Sequence, residues 1–143
     1  MKIALASDHA GFEYKNYIFK YLTEKGNQVH DFGTYSGESV DYPDFVHPLA
    51  IAVENHEFDF GILFCGSGEG VSITANKHLG IRCALCWQTD IARLARQHNN
   101  ANVLAIPTRF IAKELAQNII DIFLSTNFEG GRHQHRVNKI SNW

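Results

Sequence analysis

Cys65 opens the run Cys65-Gly66-Ser67-Gly68-Glu69-Gly70, in which alternate glycines follow a thiol that itself ends an apolar stretch. That spacing lets backbone N–H groups turn inward, so the loop reads as a cradle for an anion or a developing oxyanion at a helix start. A thiol beside those amides is expected to have its pKa lowered and to act as base or nucleophile. The competing reading is a small buried hydrophobe, the usual state of a free cysteine. Asp8-His9 and His98-Asn99 add a carboxylate and two imidazoles, and an imidazole relays protons well near neutral pH. Their plainer alternatives are an N-cap for Asp8 and a helix C-terminal cap for His98. Arg109, and Arg132 with Arg136 four residues on, offer guanidinium forks to a phosphate, although singly each is an ordinary surface charge.

Other chemistries are excluded by position. A dinucleotide fingerprint needs glycine where Val71 or Ile73 stands, and the Lys-Ser/Thr pair of a P-loop is missing. Val71 also occupies the place of the arginine in a cysteine-phosphatase loop. Cys83 and Cys86 form a C-x-x-C inside a strand, where their side chains leave on opposite faces, so both are expected in the core. His30, His47, His56 and His78 sit in segments without a partner motif. His133 and His135 flank arginines, and no H-x-x-x-H or H-E-x-x-H pattern occurs, so no metal is expected. Tyr42 and Phe45 either line a pocket or staple the following helix.

The elements that must position these groups alternate short apolar runs with amphipathic segments, the pattern of a parallel sheet covered by helices on both faces. Strands are predicted at residues 2–7, 28–32, 60–65, 82–86 and 102–106. Helices are predicted between them: one striped by Tyr14, Ile18, Tyr21 and Leu22 and ending at Gly26, one entered through Pro43, and others at 70–77 and 90–97. A last one carries Ile111, Leu115, Ile119 and Ile122 on one face behind Thr108 as N-cap. In such sheets ligands sit beyond the carboxyl ends of the strands, and there the endings at Asp8, Cys65 and, by this reading, His98 are expected to meet. After Thr126 the periodicity stops, leaving a basic tail over 127–143 hinged at Gly130-Gly131 with no core of its own. Such a tail is expected to reach across to another subunit, the logic of an interface active site.

Composition narrows the class further. The 143 residues are 45% hydrophobic, which fits one domain, residues 1–143, with a real core and no room for a second. Thirteen Lys and Arg against fifteen Asp and Glu give a net charge of -2, which argues against a general nucleic-acid or membrane-surface binder. Three cysteines cannot make a disulfide framework and read as a reducing, cytoplasmic compartment, and no apolar run approaches a signal peptide or a membrane span.

The blocks Ser7-Asp8-His9-Ala10-Gly11-Phe12, Asp41-Tyr42-Pro43, Cys65-Gly66-Ser67-Gly68, Ala75-Asn76-Lys77, Gly80-Ile81-Arg82, His98-Asn99, Ala101-Asn102-Val103-Leu104 and Glu129-Gly130-Gly131-Arg132-His133 occur in order along nearly the whole chain. Together they resemble ribose-5-phosphate isomerase type B, a family that also takes in galactose-6-phosphate isomerase subunits. The resemblance implies a flavodoxin-like αβα sandwich with strand order 2-1-3-4-5, a homodimer or dimer of dimers, no cofactor, and interconversion of ribose 5-phosphate and ribulose 5-phosphate in the pentose phosphate pathway. It implies Cys65 as the base that moves a proton between C1 and C2, and His98 as the acid/base that opens the furanose ring. Ser67 stands where the family has Thr or Ser, Asp8 matches the residue holding substrate hydroxyls, and the amides of Gly66, Ser67, Gly68, Glu69 and Gly70 match the enediolate cradle. His9, Arg109, Arg132 and Arg136 match the phosphate site, with Asn99 on sugar oxygens and Tyr42 at the pocket. Glu69, Trp87 and Pro107-Thr108 depart from the family pattern, which keeps a hexose 6-phosphate such as allose or galactose 6-phosphate as an alternative substrate. A sugar-phosphate-binding module without catalysis is the alternative from another class.

Overall fold

Five apolar runs become the strands β1 (Lys2–Ser7), β2 (Gln28–Asp31), β3 (Phe60–Cys65), β4 (Cys83–Leu85) and β5 (Val103–Pro107), in a computed structural model that describes residues 1–143. All pairings are parallel. Between and after them run α1 (Phe12–Glu24), α2 (Pro43–Glu54), α3 (Glu69–Ala75), α4 (Thr89–Asn99), α5 (Lys113–Ser125) and α6 (Arg132–Ser141). Alternation along the strands divides the core in two. Ile3, Leu5, Ile62, Phe64, Leu104 and Ile106 meet α1, α4 and α5 on one face. Ala4, Ala6, Leu63, Cys65, Val103 and Ala105 meet α2 and α3 on the other. Cys86 belongs to the first layer and Cys83 packs against the second, on opposite faces as the strand period requires.

The sheet order is β2-β1-β3-β5-β4, which corrects the expected exchange-free 2-1-3-4-5 in its last two places. The strands themselves account for it: β5 presents five buried residues and fills the inner position, whereas β4 has three half-buried residues and forms the edge. Thr108 does not cap α5, which starts later behind Ala112. Its hydroxyl instead lies 3.3 Å from the carbonyls of Ala10 and Cys65, tying β5 to the ends of two other strands' segments. The tail is also more ordered than its composition suggests, because α6 buries His133 and Val137 and packs on α4 of its own chain. Gly130 and Gly131, at φ 68° and 55°, make the turn into it, a conformation that L side chains rarely adopt.

Candidate active site

At the carboxyl end of the sheet, backbone brings β1 and β3 together. The Asp8 N–H donates to the Phe64 carbonyl at 3.0 Å. A Cβ on Gly11 would stand 2.3 Å from that same carbonyl oxygen, so only glycine lets the loop after β1 approach. Asp8 then spreads its carboxylate over both loops, accepting from Gly11 N–H at 2.7 Å and from Gly66 N–H at 3.3 Å. The N-cap of α1 is Gly11, without a side-chain cap bond, so Asp8 is not the cap; its carboxylate links the two loops. The Cys65 and Gly66 carbonyls accept from the N–H groups of Thr108 and Arg109 at 2.9 and 3.0 Å, which pins the thiol-bearing residue between three strand ends.

Around Cys65 the loop follows its glycines. Gly68 takes φ 76° and packs under Leu85, and Ser67 Oγ accepts from Glu69 N–H at 3.2 Å. Arg109 lies over Gly66, where an added Cβ would meet its Nε at 3.0 Å, and the Tyr42 ring lies against Gly70. Ser67, Glu69 and Arg109 are exposed, and Glu69 faces outward to a groove of about 570 Å³ that Trp87 and Phe110 also border. His9 Nδ1 and, next to this loop, Ser7 Oγ are buried without a hydrogen-bond partner. Burial, and then the neighbouring Asp8 carboxylate, push the Cys65 thiol up rather than down, and the Gly68 and Ser67 amides only partly oppose them. The expected lowering fails because an anionic neighbour and desolvation both favour the neutral thiol. Cys83 and Cys86 are pushed up to about 12, chiefly by burial, and are inert core residues.

His98 and Asn99 lie elsewhere. A helix that follows a parallel strand runs back along the sheet, so the last turn of α4 arrives at the amino end, where Asn102 O accepts from Gly61 N–H at 3.0 Å. Four residue steps along β3 lead from Gly61 to Cys65, roughly 13 Å of strand. The expectation that His98 shares the strand-end layer with Cys65 is therefore corrected. At the amino end His98 joins Arg132 and Arg136, both exposed on α6. Arg96 anchors this end: it is 8% exposed, its guanidinium sits 4.9 Å from the Phe60 ring centroid, and it donates to Asn100 Oδ1, Ala101 O and Thr126 O. A second groove, of about 460 Å³, is bordered here by Leu79, Arg82, Asn99 and Trp143.

Two readings missed partners. His47 Nδ1 lies 2.8 Å from His78 Nε2, and His78 Nδ1 lies 3.6 Å from Glu54, so these histidines form a short surface chain. His98, Glu129 and His133 bring ligand-type atoms within 4.8 Å of one another, a cluster that no local motif announces. Its signal in the sequence was the four-residue spacing of Glu129 and His133 across a helix start.

A thiol beside the Ser67 and Gly68 amides at one pole, with an imidazole and two guanidinium groups at the other, is a set of groups able to move protons and hold an anion, carried by a flavodoxin-like frame. The chain matches the ribose/galactose isomerase family over residues 3–140 and belongs to that family of isomerases. It is 49% identical to ribose-5-phosphate isomerase B of Escherichia coli over 98% of this chain and 94% of that protein. A ribose 5-phosphate isomerase structure from Thermotoga maritima superposes with a TM-score of 0.97 at 56% identity, covering 99% of this chain and 98% of the other. The enzyme of Mycoplasma genitalium with bound ribulose-5-phosphate superposes with a TM-score of 0.93 at 46% identity, covering 98% and 93%. No helix is long and apolar enough to cross a membrane.

Proposed function

We propose that the chain interconverts D-ribose 5-phosphate and D-ribulose 5-phosphate in the pentose phosphate pathway, in a site formed between the carboxyl end of one copy and the amino end of another. The observation that carries the reading is the separation of Cys65 from His98 along β3: each end has half of the required groups, and the halves complement each other in kind. Aldose–ketose exchange needs a base that reaches two adjacent carbons, donors where enediolate charge develops, and an anchored phosphate. The carboxyl end supplies the first two and the amino end adds the guanidinium fork.

The scheme runs in three steps. His98 gives a proton to the ring oxygen as the C1–O bond breaks, and the C1 hydroxyl proton leaves to solvent as the aldehyde forms. Cys65, once its thiol proton has left to solvent, takes the proton from C2 as thiolate, and the electron pair moves into the enediolate, whose charge the amides from Gly66 to Gly70 receive while Asp8 and Asn99 hold hydroxyls. The O2 hydroxyl proton passes to O1, and the Cys65 thiol returns its proton to C1, giving the ketose. His9, Arg109, Arg132 and Arg136 hold the phosphate, and Ser67 and Tyr42 border the reacting carbons.

An NMR time course of ribose 5-phosphate with the protein in deuterium oxide and EDTA tests this. Ribulose 5-phosphate carrying deuterium is the expected product. Absence of both product and exchange overturns the reading, and activity confined to allose or galactose 6-phosphate moves the substrate to the hexose branch that Glu69 and Trp87 keep open.

A further inference from the structure

The amino end holds two side chains that this scheme leaves idle. His133 is 7% exposed, and its ring lies parallel to that of His98, with 10° between the planes and 4.2 Å between centroids. One Glu129 carboxylate oxygen stands 3.5 Å from His133 Nε2 and 3.9 Å from His98 Nε2, within ion-pair reach of both. Its location is fixed by backbone, since Glu129 N–H donates at 3.1 Å to the carbonyl of Gln97, the residue before His98. Arg96 ties the chain three residues earlier to the same helix end, through Thr126 O.

Two imidazoles and a carboxylate are also a metal-ligand set. Here, however, the parallel rings keep their Nε2 lone pairs in two separate planes that do not meet at one ion, and Arg132 and Arg136 on the same helix add positive charge. The cluster is better suited to holding a proton than a cation. Burial, aided by the nearby His98 and Arg132 charges, keeps His133 below the ordinary histidine range, which favours an uncharged ring in the stack.

We propose that Glu129 and His133 are positioning residues for His98: the stacked ring fixes the plane of its imidazole, and the carboxylate holds its proton-bearing form toward the substrate. This rests on the reading of His98 as the ring-opening group. It makes a selective demand, because ribulose 5-phosphate, with its C5 hydroxyl esterified, has no furanose ring to open. Its C1 proton exchanges through Cys65 alone.

The test compares two reactions of the full-length protein: conversion of ribose 5-phosphate, and uptake of solvent deuterium at C1 of ribulose 5-phosphate. His98→Asn sets the reference, losing the first far more than the second. Glu129→Gln and His133→Ala are expected to slow conversion by about tenfold or more while uptake stays within about twofold of the parent. His133→Phe, which keeps a flat ring in the stack, is expected to recover most of the conversion lost in His133→Ala. Parallel loss of both reactions, or no loss in either, overturns the inference; Glu129 is half exposed, so its variant remains informative where a His133 variant fails to fold. A parent protein inert toward both sugars overturns the functional reading instead, before any variant is made.

Discussion

At the carboxyl end of the sheet the reactive groups are located by backbone, whereas at the amino end they are located by side chains. Cys65 is the last residue of a buried strand, bracketed by main-chain hydrogen bonds from Thr108 and Arg109 and covered by a loop that glycines bend around it. His98 is half-buried in the last turn of α4, held by a stacked ring, a carboxylate and the Arg96 clamp. Each end also buries one cation. Lys15, fully buried, pairs with Asp31 at 2.5 Å, and the other Asp31 oxygen accepts from Gly33 N–H, whose carbonyl accepts from Ser7 N–H just before Asp8. Arg96 does the equivalent at the amino end without any carboxylate. The contrast suits the proposed chemistry: in that scheme a base that serves two neighbouring carbons tolerates little displacement, while an acid and a phosphate fork tolerate side-chain adjustment.

The comparison can be broken most directly by disabling one end at a time. Cys65→Ala is expected to lower kcat by at least about 100-fold with the circular dichroism spectrum unchanged. His98→Asn lowers conversion of ribose 5-phosphate comparably. Co-refolding the two inactive variants in equal amounts is expected to restore about a quarter of parent activity, because half of randomly formed pairs hold one intact composite site out of two. Zero recovery would mean that the ends are not shared between copies.

The two buried cations sharpen the contrast in stability. Lys15→Met leaves Asp31 unpaired and is expected to cost about 3 kcal/mol, the low end for a broken buried pair because Asp31 keeps some water contact. Arg96→Met strands carbonyl groups but no charge, and about 2 kcal/mol is expected. Urea unfolding followed by circular dichroism measures both, and equal costs would erase the distinction.

The smallest expected effect concerns the thiol itself. Since burial and Asp8 raise its pKa, the reactive thiolate of the unliganded protein increases as pH rises through and beyond the ordinary thiol value of 9.0. Asp8→Asn removes the neighbouring charge and is expected to speed iodoacetamide alkylation of Cys65 several-fold at pH 8. Slower alkylation would show that Asp8 supports the thiolate instead.

Much of the carboxyl end was legible because strand ends and glycines leave local marks. Continuous apolar runs located β1, β3 and β5, and the alternating glycines after Cys65 announced a tight loop. The order of β4 and β5 was not legible, since sequential neighbours in the chain compete for the inner position and burial decides between them. The amino end hid for a different reason. His133, Val137 and Ile140 make a helical stripe, but one whose leading member counts as polar, so α6 read as a tail. The site of His98 followed from connectivity rather than composition, since a helix leaving a parallel strand must return to the opposite end. The thiol's pKa required the location of Asp8, which only the folded chain supplies.

The chain's two tryptophans fall one at each pole. Trp87 borders the groove beside Ser67 and Glu69, and the exposed Trp143 borders the one beside Arg82 and Asn99. In optical terms the molecule carries a separate indole reporter for each half: replacing either by phenylalanine leaves a single emitter, whose wavelength shifts to the blue only when its own groove is filled.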